Sequence, residues 1–150
     1  IGEAYDLMSS VLDALWNLNQ SGEQEEGNIG ALPYQCMCVL AVVQNSGAFQ
    51  WAAVGDCVIE LGDDDEAHVL THRAAAYAQR DMHRVGAPPE NLRIFHGENE
   101  ISAGKRLRLY SDGFEEWMGD CVGKSFTEIK RFLRRGALSD DTTVIQISRG

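Results

Sequence analysis

A run of short apolar segments punctuated by turn signals constrains this chain more than any other feature. Residues 34–44 are rich in Cys, Val and Leu and read as a buried strand. Asn45-Ser46-Gly47 supplies a turn, and residues 48–54 read as a second strand. Residues 58–61 continue as strand, 62–66 make a polar acidic turn, and 67–71 return as strand. Strands joined by such tight turns pair antiparallel, so the whole stretch is expected to form an antiparallel meander.

Helical signals flank and interrupt these strands. Residues 4–18 carry Leu7, Met8, Val11, Leu12, Leu15 and Trp16 at helical spacing, which predicts an amphipathic helix with those six on one stripe. Residues 19–30 are polar and rich in Glu and Gly, as in a loop. Residues 73–84 are Ala-rich and predict a helix ending near Gly86. Pro88-Pro89 makes a rigid connection to a short strand at 92–96.

In residues 105–110, Leu107 and Leu109 alternate with Arg106 and Arg108, the pattern of a half-buried strand. That strand runs into Ser111-Asp112-Gly113, and Phe114, Trp117 and Met118 then mark a short helix. Residues 125–135 predict another, opened by Ser125 with Glu128 three residues on, the pattern of a capping box. Residues 142–148 read as a closing strand. Antiparallel groups of strands with helices between the groups define an α+β class.

Composition narrows the functional classes. A chain of 150 residues suits one domain with one core, and its 44% hydrophobic content is that of a folded protein. No apolar run approaches the ~20 residues of a membrane helix. The net charge of −10 argues against nucleic acid and against an anionic membrane as bulk partners. Cys36, Cys38, Cys57 and Cys121 form no CxxC pair and read as reduced packing residues of a cytoplasmic protein. The first ten residues show no signal peptide and no initiator Met, so the chain is expected to be a fragment or a processed form.

Two places set Asp at the end of a strand. Asp112 follows the strand ending at Tyr110, and Asp140-Asp141 precede the strand starting at Thr142. If those strands are antiparallel neighbours, the carboxylates converge on one rim of a sheet. Hard carboxylate oxygens of this kind suit Mg²⁺ or Mn²⁺, and Gly113 leaves room for close backbone approach. On spacing alone the plainer reading prevails: Ser-Asp-Gly as a turn and Ser-Asp-Asp as a connector.

Other acidic and basic features carry less. Asp63-Asp64-Asp65-Glu66 lacks the ligand spacing of a calcium loop and reads as a solvated hairpin tip. His68, His72, His83 and His96 form no metal-binding pattern. Lys130, Arg131, Arg134 and Arg135 make a small basic patch on a helix, either a solvated face or a surface for an acidic or phosphorylated partner.

The segment Gly-Lys-Arg-Leu-Arg-Leu-Tyr-Ser-Asp-Gly-Phe-Glu-Glu-Trp at 104–117 resembles a signature of the metal-dependent, type 2C protein serine/threonine phosphatases. It is most similar to their bacterial partner-switching and sporulation branch. Ser139-Asp140-Asp141-Thr142-Thr143-Val144-Ile145 resembles the family's last motif, and Ala53-Val54-Gly55-Asp56-Cys57 its Val-Gly-Asp-Ser motif. The three motifs stand in the family's order, and the resemblance covers nearly the whole chain.

The resemblance implies a sandwich of two antiparallel sheets flanked by helices. It implies Asp112 and Asp140 as catalytic metal ligands and Asp56 as the ligand of a third, weaker ion, the cofactor being Mn²⁺ or Mg²⁺. The implied partner is a phosphorylated protein, hydrolysed at phosphoserine or phosphothreonine by a metal-activated water.

The chain also departs from the pattern. The family's first strands and their metal-bridging Asp-Gly are not in this sequence, so residues 1–150 are expected to be one such domain lacking its first strands. By itself this chain is expected to be weakly active or inactive. Cys57 stands where the motif has Ser, and the usual Gly-(Ser/Thr)-Thr before the buried strand is replaced around Cys36-Met37-Cys38. The alternative function is a catalytically inactive phosphatase-like module that binds a partner protein. A third reading is an unrelated acidic α+β binding domain with no specific Mn²⁺ site at Asp112 and Asp140.

Overall fold

A computed structural model describes residues 2–21, 35–63, 65–71, 85–111, 124–135 and 142–150. In chain order these form α1 (Glu3–Ser21), β1 (Cys38–Val43), β2 (Ala48–Val54), β3 (Val58–Gly62), β4 (Ala67–Val69), β5 (Phe95–Glu100), β6 (Arg106–Tyr110), α2 (Phe126–Leu133) and β7 (Val144–Ser148). A 3-10 turn at Pro89–Asn91 precedes β5.

The strands make two antiparallel sheets, ordered β1-β2-β5 and β4-β3-β6-β7. Period-two alternation sends one face of each sheet into a shared core. Phe49, Trp51 and Ala53 of β2 and Phe95 of β5 meet Ile59 of β3 and Leu107 and Leu109 of β6 there. Each large side chain so buried contributes about 1.5–3 kcal/mol. A Cβ on Gly97 would stand 2.8 Å from the Trp51 ring, so glycine at 97 lets the indole lie across β5. Trp51 Nε1 there donates to Asn99 Oδ1 at 3.0 Å.

Helices cover the two outer faces. Ala4, Met8 and Leu12 of α1 pack on Ala52 and Val54 of β2. Ile129 of α2 packs with Val58 of β3 and Tyr110 of β6. The result is α+β, a two-sheet sandwich flanked by helices, as the sequence led us to expect. The capping box is present as well. Ser125 N donates to Glu128 Oε2 at 2.8 Å, and Glu128 N donates to Ser125 Oγ at 3.3 Å.

Several expectations are corrected. Residues 34–71 are not one meander, because β1-β2 and β3-β4 belong to different sheets. The chain changes sheet at Gly55-Asp56-Cys57, where Gly55 takes φ +91°. Turn residues mark a reversal equally well whether the next strand pairs with the last one or starts another sheet. The α1 stripe is rotated: Leu7 is 47% exposed and Ala4 is buried. The helix also runs past Leu18 to Ser21, since Asn19 is buried and its Nδ2 donates to Gly86 O at 2.9 Å. The fifth strand lies at 95–100 rather than 92–96; His96, Glu98 and Glu100 are exposed on this edge strand, so its apolar signal is weak.

β6 is buried on both faces, with Arg106 and Arg108 as inaccessible as the leucines. Cys36 is exposed, in an isolated bridge with Val85, while Cys38 is half-buried and Cys57 buried. The expected helices at 73–84 and 114–118 and the thiol of Cys121 lie outside the described residues.

The acidic hairpin tip carries an acid-sensitive contact. Asp63 Oδ1 accepts from Asp65 N at 2.9 Å and Glu66 N at 2.8 Å, and its other oxygen accepts from Lys105 Nζ. The Lys105 hydrogen bond, with the backbone donors, lowers the carboxyl from its ordinary value to about 2. A carboxylate depressed on folding stabilises above its unfolded pKa of ~3.9, and that contribution fades as pH falls toward 2. The urea midpoint of Asp63→Asn is therefore expected to lie below the parent's at pH 6 and to meet it near pH 2. A constant gap across that range would remove titration of Asp63 as its cause.

Candidate active site

The β4-β3-β6-β7 sheet sets three chain positions side by side. Val58 of β3 pairs with Tyr110 of β6, and Tyr110 pairs with Val144 of β7. The row therefore holds the first residue of β3, the last of β6 and the first of β7. Each strand joins, at this row, one segment singled out in the sequence. Asp56 is two residues before Val58, Asp112 two after Tyr110, and Asp140 four before Val144.

The ends of β6 and β7 are held together past the row. Ser111 N donates to Thr143 O at 3.1 Å, and Thr143 N donates to Ser111 Oγ at 3.0 Å. The serine of the Ser-Asp-Gly motif thus extends the β6–β7 ladder by one step, with its hydroxyl as acceptor. Asp56 lies in the bend where the chain leaves β2 for β3, half-buried, with Cys57 buried after it. Asp112, Gly113, Asp140 and Asp141 lie outside the described residues. Of the three aspartates the resemblance implicates, Asp56 alone is placed. Among the described residues no group of three or more His, Cys, Asp or Glu side chains converges as a metal site.

Beneath the row lies a buried polar network that sequence reasoning missed. Arg108 and Glu60 are register partners, with side chains only 3% and 6% exposed and Nη1 3.6 Å from Oε1. Arg108 Nε donates to Gln146 Oε1, and its Nη2 to the Lys124 carbonyl, both at 2.7 Å. One guanidinium so ties three strands to the segment leading into α2. Alternation in 105–110 correctly separates Arg from Leu, but it cannot reveal that a helix covers the arginine face. The signal available was Glu60, a lone acid between Ile59 and Leu61 in an otherwise apolar strand.

The remaining sequence candidates are dispersed. Asp65 and Glu66 are exposed, and His68 Nε2 is 3.2 Å from Glu66 Oε1 at that same solvated tip. His96 packs edge-on against Tyr5, with ring centroids 5.1 Å apart. His72 and His83 lie outside the described residues.

No family model and no curated protein matches this sequence. Solved structures do match its fold. PppA, "a key regulatory component of T6SS in Pseudomonas aeruginosa", superposes with TM-score 0.65 at 15% identity, over 93% of this chain and 67% of that one. The PPM Ser-Thr phosphatase MsPP from Mycobacterium smegmatis gives 0.63 at 17%, over 97% and 72%. The phosphatase domain of the cell fate determinant SpoIIE from Bacillus subtilis gives 0.53 at 15%, over 99% and 74%. The chain has the fold of the type 2C, or PPM, serine/threonine phosphatases, and spans between two thirds and three quarters of the length of these three structures.

Proposed function

We propose that this chain carries a divalent-metal-dependent phosphatase site for phosphoserine and phosphothreonine on proteins, working in the cytoplasm. The observation that carries the proposal is the register row Val58–Tyr110–Val144, which sets side by side, at one rim of a sheet, the strand ends nearest in sequence to Asp56, Asp112 and Asp140. Chain reach supports the assignment. Asp112 is tethered within about 7 Å of Tyr110 and Asp140 within about 14 Å of Val144 by covalent geometry alone.

The proposed donor set, Asp56, Asp112 and Asp140, is made of carboxylates, the hard oxygen ligands that suit Mn²⁺ or Mg²⁺. Asp112 and Asp140 would hold the catalytic ions and Asp56 a further, weaker one. When bound, those ions supply an activated water and offset charge on the phosphoryl oxygens. The protein's own part is positional. Ser111 and Thr143 lock the two strand ends that carry Asp112 and Asp140, and Arg108 braces the strands beneath them. Buried Tyr110 and Ile129 exclude water from the underside of the rim.

The test is Mn²⁺-dependent hydrolysis of a small aryl phosphate, with a chelator control. It is run on these 150 residues and on a longer form of the protein bearing an Asp-Gly ahead of α1. Turnover in either that needs Mn²⁺ supports the phosphatase. No turnover in both would sink it and leave the non-catalytic partner-binding module as the reading.

A further inference from the structure

Charge is distributed unevenly along this chain. Five of its 13 Lys and Arg fall within residues 124–135, against one of its 23 Asp and Glu. That segment is α2 and its flanks. Ile129 is fully buried against Val58 and Tyr110, and Phe126, Phe132 and Leu133 are half-buried, so one helix face is committed to the sheet. Thr127, Lys130, Arg131, Arg134 and Arg135 line a shallow hollow on the other side, and all five are exposed.

Among the described residues this face has little acidic cover. Glu128, the one acid of the segment, is turned back onto Ser125, accepting from its N and its Oγ at 2.8 Å each. Those hydrogen bonds, with a smaller part from Lys124 and Arg131, hold its carboxyl below the ordinary range, and both bonds go to the cap. Among the described residues no carboxylate pairs with Lys130, Arg131, Arg134 or Arg135. Four like charges within two helical turns repel one another and disfavour the helix.

We propose that this cationic face of α2 docks a carboxylate-rich segment of a partner protein. Charge complementarity selects the class of occupant, and the size of the patch selects its form. An eight-residue helix is about 12 Å long, which an extended peptide covers in about four residues. A short acidic segment therefore meets only the patch, because screening over ~8 Å hides the acidic remainder of the chain. A membrane or a nucleic-acid duplex presents a broad anionic surface and meets that acidic remainder too. The cations are spread and exposed, with no buried donor converging on one point, which suits several carboxylates rather than a single phosphate. The docking stands without turnover; recruitment of a substrate through it rests on the phosphatase reading, since Ile129 seats α2 against Val58 and Tyr110 of the row.

The experiment measures fluorescence anisotropy of a labelled oligo-glutamate peptide, in chelator, so hydrolysis plays no part. The unaltered chain is expected to bind, more weakly as salt rises. Reversal by Lys130→Glu, Arg131→Glu, Arg134→Glu and Arg135→Glu together should weaken binding by at least about tenfold. Because four new acids at the end of α2 and just beyond it strain the helix, Lys130→Gln with Arg134→Gln is measured alongside, its fold checked by circular dichroism, and a smaller loss in the same direction is expected. Absence of peptide binding, or equal binding by the folded Gln pair and the parent, would overturn the proposal. So would phosphatidylserine vesicles binding through these residues in place of the peptide, or a dimer in sedimentation that the Gln pair abolishes.

Discussion

Replacing Asp112 with Asn is expected to lower Mn²⁺-dependent phosphate ester hydrolysis by at least about a hundredfold, the scale on which single charge-stabilising groups act in a site. Asn keeps the size and the turn-forming side chain, so it removes one anionic ligand and little else. Asp140→Asn is expected to match it. Asp56→Asn should cost much less, because the proposed site gives Asp56 only a further, weaker ion. Mn²⁺ binding followed by electron paramagnetic resonance should fall in the same order, a readout that does not depend on turnover. Equal losses at all three positions would contradict the division of roles, and no loss at Asp112 would remove it from the site.

Arg108→Met is expected to destabilise the fold by about 3–5 kcal/mol in urea unfolding. That is the usual consequence of stranding one member of a buried ion pair. Glu60 would remain 5% exposed with its guanidinium partner gone, and Gln146 Oε1 and the Lys124 carbonyl would each lose a donor. Adding Glu60→Leu should recover much of the loss, because apolar replacement of both partners removes the stranded charge. If Arg108→Met costs under about 1 kcal/mol, the pair behaves as a surface contact and the network beneath the rim has no structural weight. The pair of variants also separates bracing from chemistry: the double variant should recover stability, and its turnover then reports whether the brace aligns the rim.

Much of this protein was legible as one-dimensional pattern. Short strands at 48–54, 58–62 and 106–110, the capping box at Ser125 and Glu128, and the turn at Gly47 depend on interactions between residues close in sequence. Periodicity, propensity and turn chemistry report such interactions directly. The Asp-bearing motifs at strand ends were readable for the same reason, as was the basic run at 130–135. That β6 and β7 lie side by side was legible only as a condition; the register Tyr110–Val144 fulfils it.

Tertiary structure alone decided the rest. A turn signal does not say which sheet the next strand joins, so the crossing at Gly55 to Cys57 was invisible. Alternation separates two faces of a strand but not whether both are covered, so Arg106 and Arg108 looked solvated until α2 was seen to close over their side. Burial is set by partners far away in sequence, and the pairing of Glu60 with Arg108 spans 48 positions that no local rule connects. The sequence by itself determined the elements and the kinds of side chain at their ends; packing determined which of those ends share a rim.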